Sequence, residues 1–197
     1  MPETETDAAP AGPPTPAGPP EPSWVAPTWE VLRAAGVQVV AFVPDAGLAA
    51  LLRRAECTDG VTTIPLSTEE EGVAVLAGAW LGGAAGVLCM QSSGVGNCIN
   101  LLSLARTCRF PLLVLVTMRG QYGERNPWQV PMGSTAAEVL RASGVLTFEV
   151  AHEADVAPTV QAAAAMTFSG GGAAAVLIGQ KVIGAKAFAP AATEAAS

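Results

Sequence analysis

Positive charge is scarce in this chain: ten Lys and Arg stand against seventeen Asp and Glu, for a net charge of -7, and apart from Arg53-Arg54 the basic residues occur singly. No basic stripe is available to follow a phosphate backbone or an anionic bilayer, so no nucleic-acid and no membrane partner is expected. Histidine is scarcer still. His152 stands alone, in Ala151-His152-Glu153 at the expected start of a helix, where a surface or capping role suits it. No Ser/His/Asp or Cys/His catalytic set can be assembled around it. Cys57, Cys89, Cys98 and Cys108 show no CxxC spacing, which argues against a zinc site or disulfide framework and for reduced thiols in a cytoplasmic protein. Cys57 and Cys108 fall near element ends, and the other two read as core filler.

Two further absences bear on destination. Met1 to Ser23 holds Pro, Ala, Thr and Glu but no Lys or Arg, and fits neither a secretory nor a mitochondrial signal. The uncharged run Gly72 to Met90 approaches the ~18 residues of a membrane span, but its five glycines divide it into a helix followed by a strand.

What remains is half apolar, enough for one core-bearing domain. The expected division is a disordered Pro/Ala-rich tail over 1–23, a domain over 24–184 and a flexible tail over 185–197. Helical spacing predicts helices over Thr28–Ala35, Leu48–Ala55, Glu69–Leu81, Asn97–Arg106, Thr135–Ala142 and Ala154–Thr167. Short apolar runs predict strands over Val37–Val43, Thr62–Pro65, Gly86–Met90, Leu112–Thr117, Leu146–Val150 and Ala173–Ile178. Alternation of helix with buried strand implies an α/β fold of three layers, a mostly parallel six-stranded sheet with helices on both faces. Ligand-facing loops then follow the strands' carboxyl ends: Pro44 to Gly47, Leu66 to Glu70, Gln91 to Gly96, and the long Met118 to Gly133.

Two motifs on those loops admit chemistry. Gly94-Val95-Gly96-Asn97 opens a helix after a strand, which lets backbone N–H groups approach a ligand, or serves merely as a tight turn. It lacks the third glycine of a dinucleotide fingerprint, where Ile99 stands, and the Lys of a P-loop. Glu69-Glu70-Glu71 heads a helix that is otherwise uncharged, and both Ser67-x-x-Glu70 and Thr68-x-x-Glu71 satisfy the capping-box pattern. A cap accounts for one carboxylate and leaves two unexplained. The positions three, four and seven beyond Glu70 are Val73, Ala74 and Ala77, a face with room for a ligand.

Taken with Val43-Pro44-Asp45, Gln91-Ser92-Ser93, Arg119-Gly120 and Gln129-Val130-Pro131-Met132-Gly133, these motifs resemble one family over about Trp24 to Ile183. The chain is similar to the pyrimidine-binding (Pyr) domain of thiamine-diphosphate enzymes of the sulfopyruvate and phosphonopyruvate decarboxylase type, where it forms the alpha subunit. The resemblance implies a Glu at a helix head that hydrogen-bonds N1′ of the cofactor's aminopyrimidine, with an aromatic residue ten places on. Counted from Glu70 that residue is Trp80, and counted from Glu69 or Glu71 it is Ala79 or Leu81. Glu70 is therefore the expected catalytic residue, and Glu70, Gln91, Ser92, Ser93, Gly94, Gly96 and Asn97 the expected contacts to thiamine diphosphate. Asp45, Arg119 and Gln129 are the implied substrate residues, with Arg125 second to Arg119 for an anionic tail.

The family's diphosphate-binding module holds Mg²⁺ through Gly-Asp-Gly and a later Asn. Here Thr58-Asp59-Gly60 has no Asn at the matching distance. The resemblance thus implies no metal ligand in this chain, with Mg²⁺ held by a diphosphate-binding beta subunit, a hetero-oligomer, and a small 2-oxo acid converted to an aldehyde and carbon dioxide. The alternatives are a non-catalytic α/β scaffold or regulatory subunit in which the acidic triplet only caps a helix, and a carboligating subunit of the same cofactor class. A flavodoxin-like nucleotide-binding domain fits less well for want of its fingerprints.

Overall fold

The computed structural model describes residues 20–184, so the expected tails at 1–19 and 185–197 lie outside the described residues. The last part of the first tail is tied to the domain. Glu21 accepts two hydrogen bonds from Arg54 at 2.6 and 2.7 Å, and the Ser23 hydroxyl donates to Glu153.

Six strands form one sheet: β1 (Val37–Phe42), β2 (Thr62–Pro65), β3 (Ala85–Gln91), β4 (Leu112–Thr117), β5 (Leu146–Val150) and β6 (Ala173–Ile178). Their order is β2-β1-β3-β4-β6-β5, and every pairing is parallel. The sequence of each strand matches its place. Leu-Leu-Val-Leu-Val-Thr of β4 is buried at every position, as a strand covered on both faces must be, while the edge strands β2 and β5 include Thr or Glu and are largely half-buried or exposed.

The helices are α1 (Val25–Ala34), α2 (Ala49–Glu56), α3 (Glu69–Leu81), α4 (Ser92–Cys98), α5 (Leu102–Cys108), α6 (Val130–Ala142), α7 (Glu153–Gly170) and α8 (Gln180–Ile183). The sheet divides the core in two. On one face Trp29, Leu32, Leu51 and Val160 of α1, α2 and α7 meet Val40, Leu113 and Val176; on the other Leu76, Val95, Leu102 and Leu140 of α3 to α6 meet Leu88, Val114 and Leu177. Each fully buried Leu or Val contributes about 1.5–3 kcal/mol relative to exposure. No helix among the described residues is long and apolar enough to cross a membrane, and Gly72 to Met90 resolves into α3 and β3.

Three departures from expectation shape the site. The helix expected over Asn97–Arg106 is two helices, because α4 begins directly after β3 and the chain turns at Asn100, whose carbonyl accepts the Ser103 hydroxyl. The long loop is shorter than Met118–Gly133: a single 3₁₀ turn occupies Pro127–Gln129 and α6 starts at Val130, with Pro131 in its first turn, where a missing N–H costs nothing. The short α8 was not anticipated. His152 takes the N-cap position of α7, although its side chain makes no capping bond.

Candidate active site

β1 lies between β2 and β3, so the chain leaves it to one side and returns on the other, which opens a crevice at the strands' carboxyl ends. Residues from the ends of β1, β3 and β4 and the first turns of α3 and α4 converge there.

Of the acidic triplet, the carboxylate carried inward is Glu69. It is 7% exposed and its Oε2 accepts a hydrogen bond of 2.7 Å from Asn97 Nδ2 on α4. Glu70, the expected catalytic residue, is exposed. Helix phase sets the two apart. The buried residues of α3 are Glu69, Gly72, Val73 and Leu76, an i, i+3, i+4, i+7 stripe, and Glu70 begins the neighbouring stripe through Ala74, which faces out. Trp80, ten places beyond Glu70, is 40% exposed. The signal that finds Glu69 is the pairing of an acid with Gly72, Val73 and Leu76 at helical spacing. Glu71 is the cap: its Oε2 accepts the backbone N–H of Ser67 at 2.9 Å, with Thr68 extended at the N-cap. A helix N-terminus favours the negative charge of Glu69.

Gly94 is required by that carboxylate. A Cβ there would lie 2.4 Å from Glu69 Cδ and 2.5 Å from its Oε1, so the glycine read as an approach for a ligand also admits Glu69. Asn97 is drawn in as the partner of Glu69. Gly96 instead lies beneath Met132.

The second group of residues forms a chain of hydrogen bonds between loops. Gln129 Nε2 and Ser93 Oγ both donate to Gln91 Oε1 at 2.9 Å, and Gln91 Nε2 donates to Asp45 Oδ1 at 3.0 Å. Asp45 Oδ2 accepts Thr117 Oγ1 at 2.7 Å and the Gly47 N–H at 2.9 Å. Arg119 completes the set by donating from an Nη to Asp45 Oδ1 at 3.1 Å, while its backbone N–H donates to Ser92 Oγ at 3.1 Å. Burial pushes the Asp45 carboxyl up, but hydrogen bonds from Thr117 and Gln91 and the Arg119 guanidinium outweigh it and hold the group below the usual carboxylate range. Ser92 and Ser93 are thus brought into the same network as Gln91 and Gln129. Thr117, which sequence reasoning passed over, is the pivot that ties β4 to Asp45.

Arg119 was expected to meet an anionic substrate. Its side chain is 6% exposed and committed to Asp45, whose own is 4% exposed, so the pair anchors the loop; the Nε is buried without a partner. Arg125, by contrast, is exposed and has no ion pair among the described residues.

The sequence profile of the family described as "Thiamine pyrophosphate enzyme, N-terminal TPP binding domain" matches residues 28–139, a span that contains every residue just placed. The chain belongs to the thiamine pyrophosphate enzymes. This TPP-binding domain is 36% identical over 113 residues to the sulfopyruvate decarboxylase subunit alpha of Methanococcus maripaludis, covering 57% of this chain and 68% of that protein. It is 39% identical over 111 residues to the phosphonopyruvate decarboxylase of Streptomyces viridochromogenes, covering 55% of this chain but only 28% of that protein. Among solved structures it superposes on a thiamin diphosphate-dependent enzyme of Mycobacterium smegmatis, described there as putative, with a TM-score of 0.66 at 20% identity, covering 90% of this chain and 34% of that one. The chain therefore spans about a third of that neighbour, and the likeness at such identity speaks to fold alone.

The residues of the TPP-binding domain fit the aminopyrimidine of thiamine pyrophosphate (thiamine diphosphate). Glu70 offers an accessible carboxylate at the head of α3 that can accept a hydrogen bond from a ring nitrogen, beside Glu69, which is fixed by Asn97. The Cys98 thiol beside it is held neutral, pushed up to about 12 by burial and by the charges of Glu69 and Glu70.

Proposed function

We propose that this chain is the pyrimidine-binding subunit of a two-component thiamine-diphosphate-dependent 2-oxo acid decarboxylase, acting on a sulfonated or phosphonated 2-oxo acid. Its Mg²⁺ and diphosphate sites lie on a separate beta subunit, with which it forms a hetero-oligomer. The observation that carries the reading is Glu70, an accessible carboxylate in the first turn of α3, at a helix head fixed by the buried Glu69–Asn97 bond. The names of the relatives support the substrate class, and the subunit name of the Methanococcus protein supports the two-chain arrangement.

When bound, thiamine diphosphate accepts the electron pair released as carbon dioxide leaves a 2-oxo acid. The contribution of this chain is to hold a proton at N1′ through the Glu70 carboxylate, at a helix head that the Glu69–Asn97 bond fixes. Gln91 and Ser93 form the wall beside it. Because Arg119 is committed to Asp45, recognition of the acid's anionic tail falls to Arg125 and Gln129.

The test is a comparison of Glu69→Gln with Glu70→Gln, each assembled with the beta subunit and assayed for carbon dioxide release. Glu70→Gln is expected to lower turnover by about 10²- to 10⁴-fold, the usual worth of a positioned proton-transfer group, with a smaller loss in Glu69→Gln, which keeps an oxygen for Asn97. Unchanged turnover in Glu70→Gln would remove it from the mechanism and favour the non-catalytic scaffold, and a new carbon-carbon bond in the product the carboligating subunit. Arg125→Ala should raise KM for the tailed acids with little change in kcat, whereas Arg119→Ala should cost about 3–5 kcal/mol of folding stability by stranding Asp45.

A further inference from the structure

The connection from β4 to α6 runs without regular structure over residues 118–126, yet two side chains take up its backbone donors. Gln180, the first residue of α8, is 1% exposed. Its Oε1 accepts the backbone N–H groups of Gln121 and Tyr122, both at 2.9 Å. The bond is reciprocated, since the Gln180 N–H donates to Gln121 Oε1 at 3.0 Å. Gln180 Nε2 donates at 3.0 Å to Glu124 Oε2, which also accepts the Gly120 N–H at 3.3 Å, while Glu124 Oε1 accepts the Asn126 N–H at 2.9 Å. Lys181 Nζ lies 5.4 Å from the centre of the Tyr122 ring and covers the clasp from outside.

The inventory accounts for both atoms of the Gln180 amide and both oxygens of Glu124. Neither residue hydrogen-bonds to the Asp45–Gln91 network through its side chain, but the loop they hold carries Arg125 and runs between Arg119 and Gln129, both of which enter that network. A buried Gln that satisfied only itself could do so with one backbone partner. This one grips three residues of a segment that starts 59 positions upstream, at the point where substrate-facing residues must be presented.

We propose that Gln180 and Glu124 are positioning residues, a buried clasp that presets the β4–α6 loop so that Arg125 and Gln129 meet the 2-oxo acid without an ordering step. The proposal rests on the decarboxylase reading for its substrate, while its effect on the loop is independent of it. Preordering removes an entropic cost of capture, so the clasp acts on KM and leaves the proton chemistry at Glu70 alone.

The test uses the full chain, alone for hydrogen exchange and with the beta subunit for kinetics. In Gln180→Leu, amide exchange across 120–126 should quicken by at least about tenfold, as expected for losing the three hydrogen bonds of the Gln180 side chain, with β4 and β6 unaffected. KM for sulfopyruvate or phosphonopyruvate should rise by a similar factor at nearly constant kcat. Lys181→Ala, which removes only the outer contact, should leave both at the parent value. Should the Leu variant fail to fold, Gln180→Glu opposes Glu124 with a second carboxylate and should loosen the loop. Adding Glu124→Gln returns a donor to that pair at the expense of the 3.3 Å bond from Gly120, and should bring exchange back to within about twofold of the parent. Unchanged loop exchange in Gln180→Leu, a loosened loop with KM and kcat both unmoved, or a swap that restores nothing would each overturn the clasp. If the assembled parent released no carbon dioxide from either acid, the decarboxylase reading would fail while the exchange result still judged the loop.

Discussion

At the scale of single residues the site rests on two carboxylates with opposite employments. Glu70 is exposed and accepts no side-chain hydrogen bond among the described residues, whereas Asp45 receives hydrogen bonds from Thr117, Gln91, Gly47 and Arg119 and has no capacity to spare. A group so engaged is poorly suited to shuttling protons, and its depressed pKa makes it a source of acid-side stability instead. The folded value lies below the unfolded one, so the stabilisation is full above the ordinary Asp value, near ~4, and is lost as pH falls through the folded value. Asp45→Asn should therefore lower stability at neutral pH and flatten its decline on acidification, seen by urea denaturation across the range from about pH 6 to pH 2. A decline as steep as the parent's would assign the acid limb to other carboxylates.

Elements place these residues through close approaches. Gly133, in the first turns of α6, lies against the Arg119 carbonyl: a Cβ there would stand 1.9 Å from that oxygen and 2.7 Å from its carbon. Gly133→Ala should force α6 away from the β4 loop, at a cost of at least about 2 kcal/mol, and should weaken the Gln129–Gln91 bond, with the loss read from chemical denaturation. Most element positions were legible beforehand. β2, β4, β5 and β6 have the bounds expected from their apolar runs, as has α3, because a buried parallel strand writes its burial directly into composition. The site was less legible. Counting to Trp80 chose Glu70, which lies on the exposed side of α3, while the inward face set by Gly72, Val73 and Leu76 carries the Glu69–Asn97 pair, which no landmark residue announces. The Asp45–Arg119 pair joins residues 74 positions apart, and the Gln121–Gln180 pair residues 59 apart. No local pattern announces such contacts; they exist only once the strand order has been set.

Taken as a whole molecule, the protein has its chemistry at one rim and its apolar mass in two layers kept apart by the sheet. Leu32 of α1 and Leu140 of α6 belong to different layers and share no neighbours across the strands. Leu32→Ala and Leu140→Ala should each cost about 2–5 kcal/mol, and the double variant should equal their sum to within about 0.5 kcal/mol. A coupling well above that, measured by a double-mutant cycle, would mean that the sheet transmits packing strain between its faces.

The same separation has a consequence for descent. The helices α1 and α7 enclose a cleft of 470 Å³ between Glu30, Val31, Phe168 and their neighbours, and none of the candidate residues lies on either helix. Substitutions can accumulate on that flank under selection for solubility or heat tolerance while the rim stays under selection for turnover. Lineages can thus drift apart along one side of the sheet and still share one reaction at its edge.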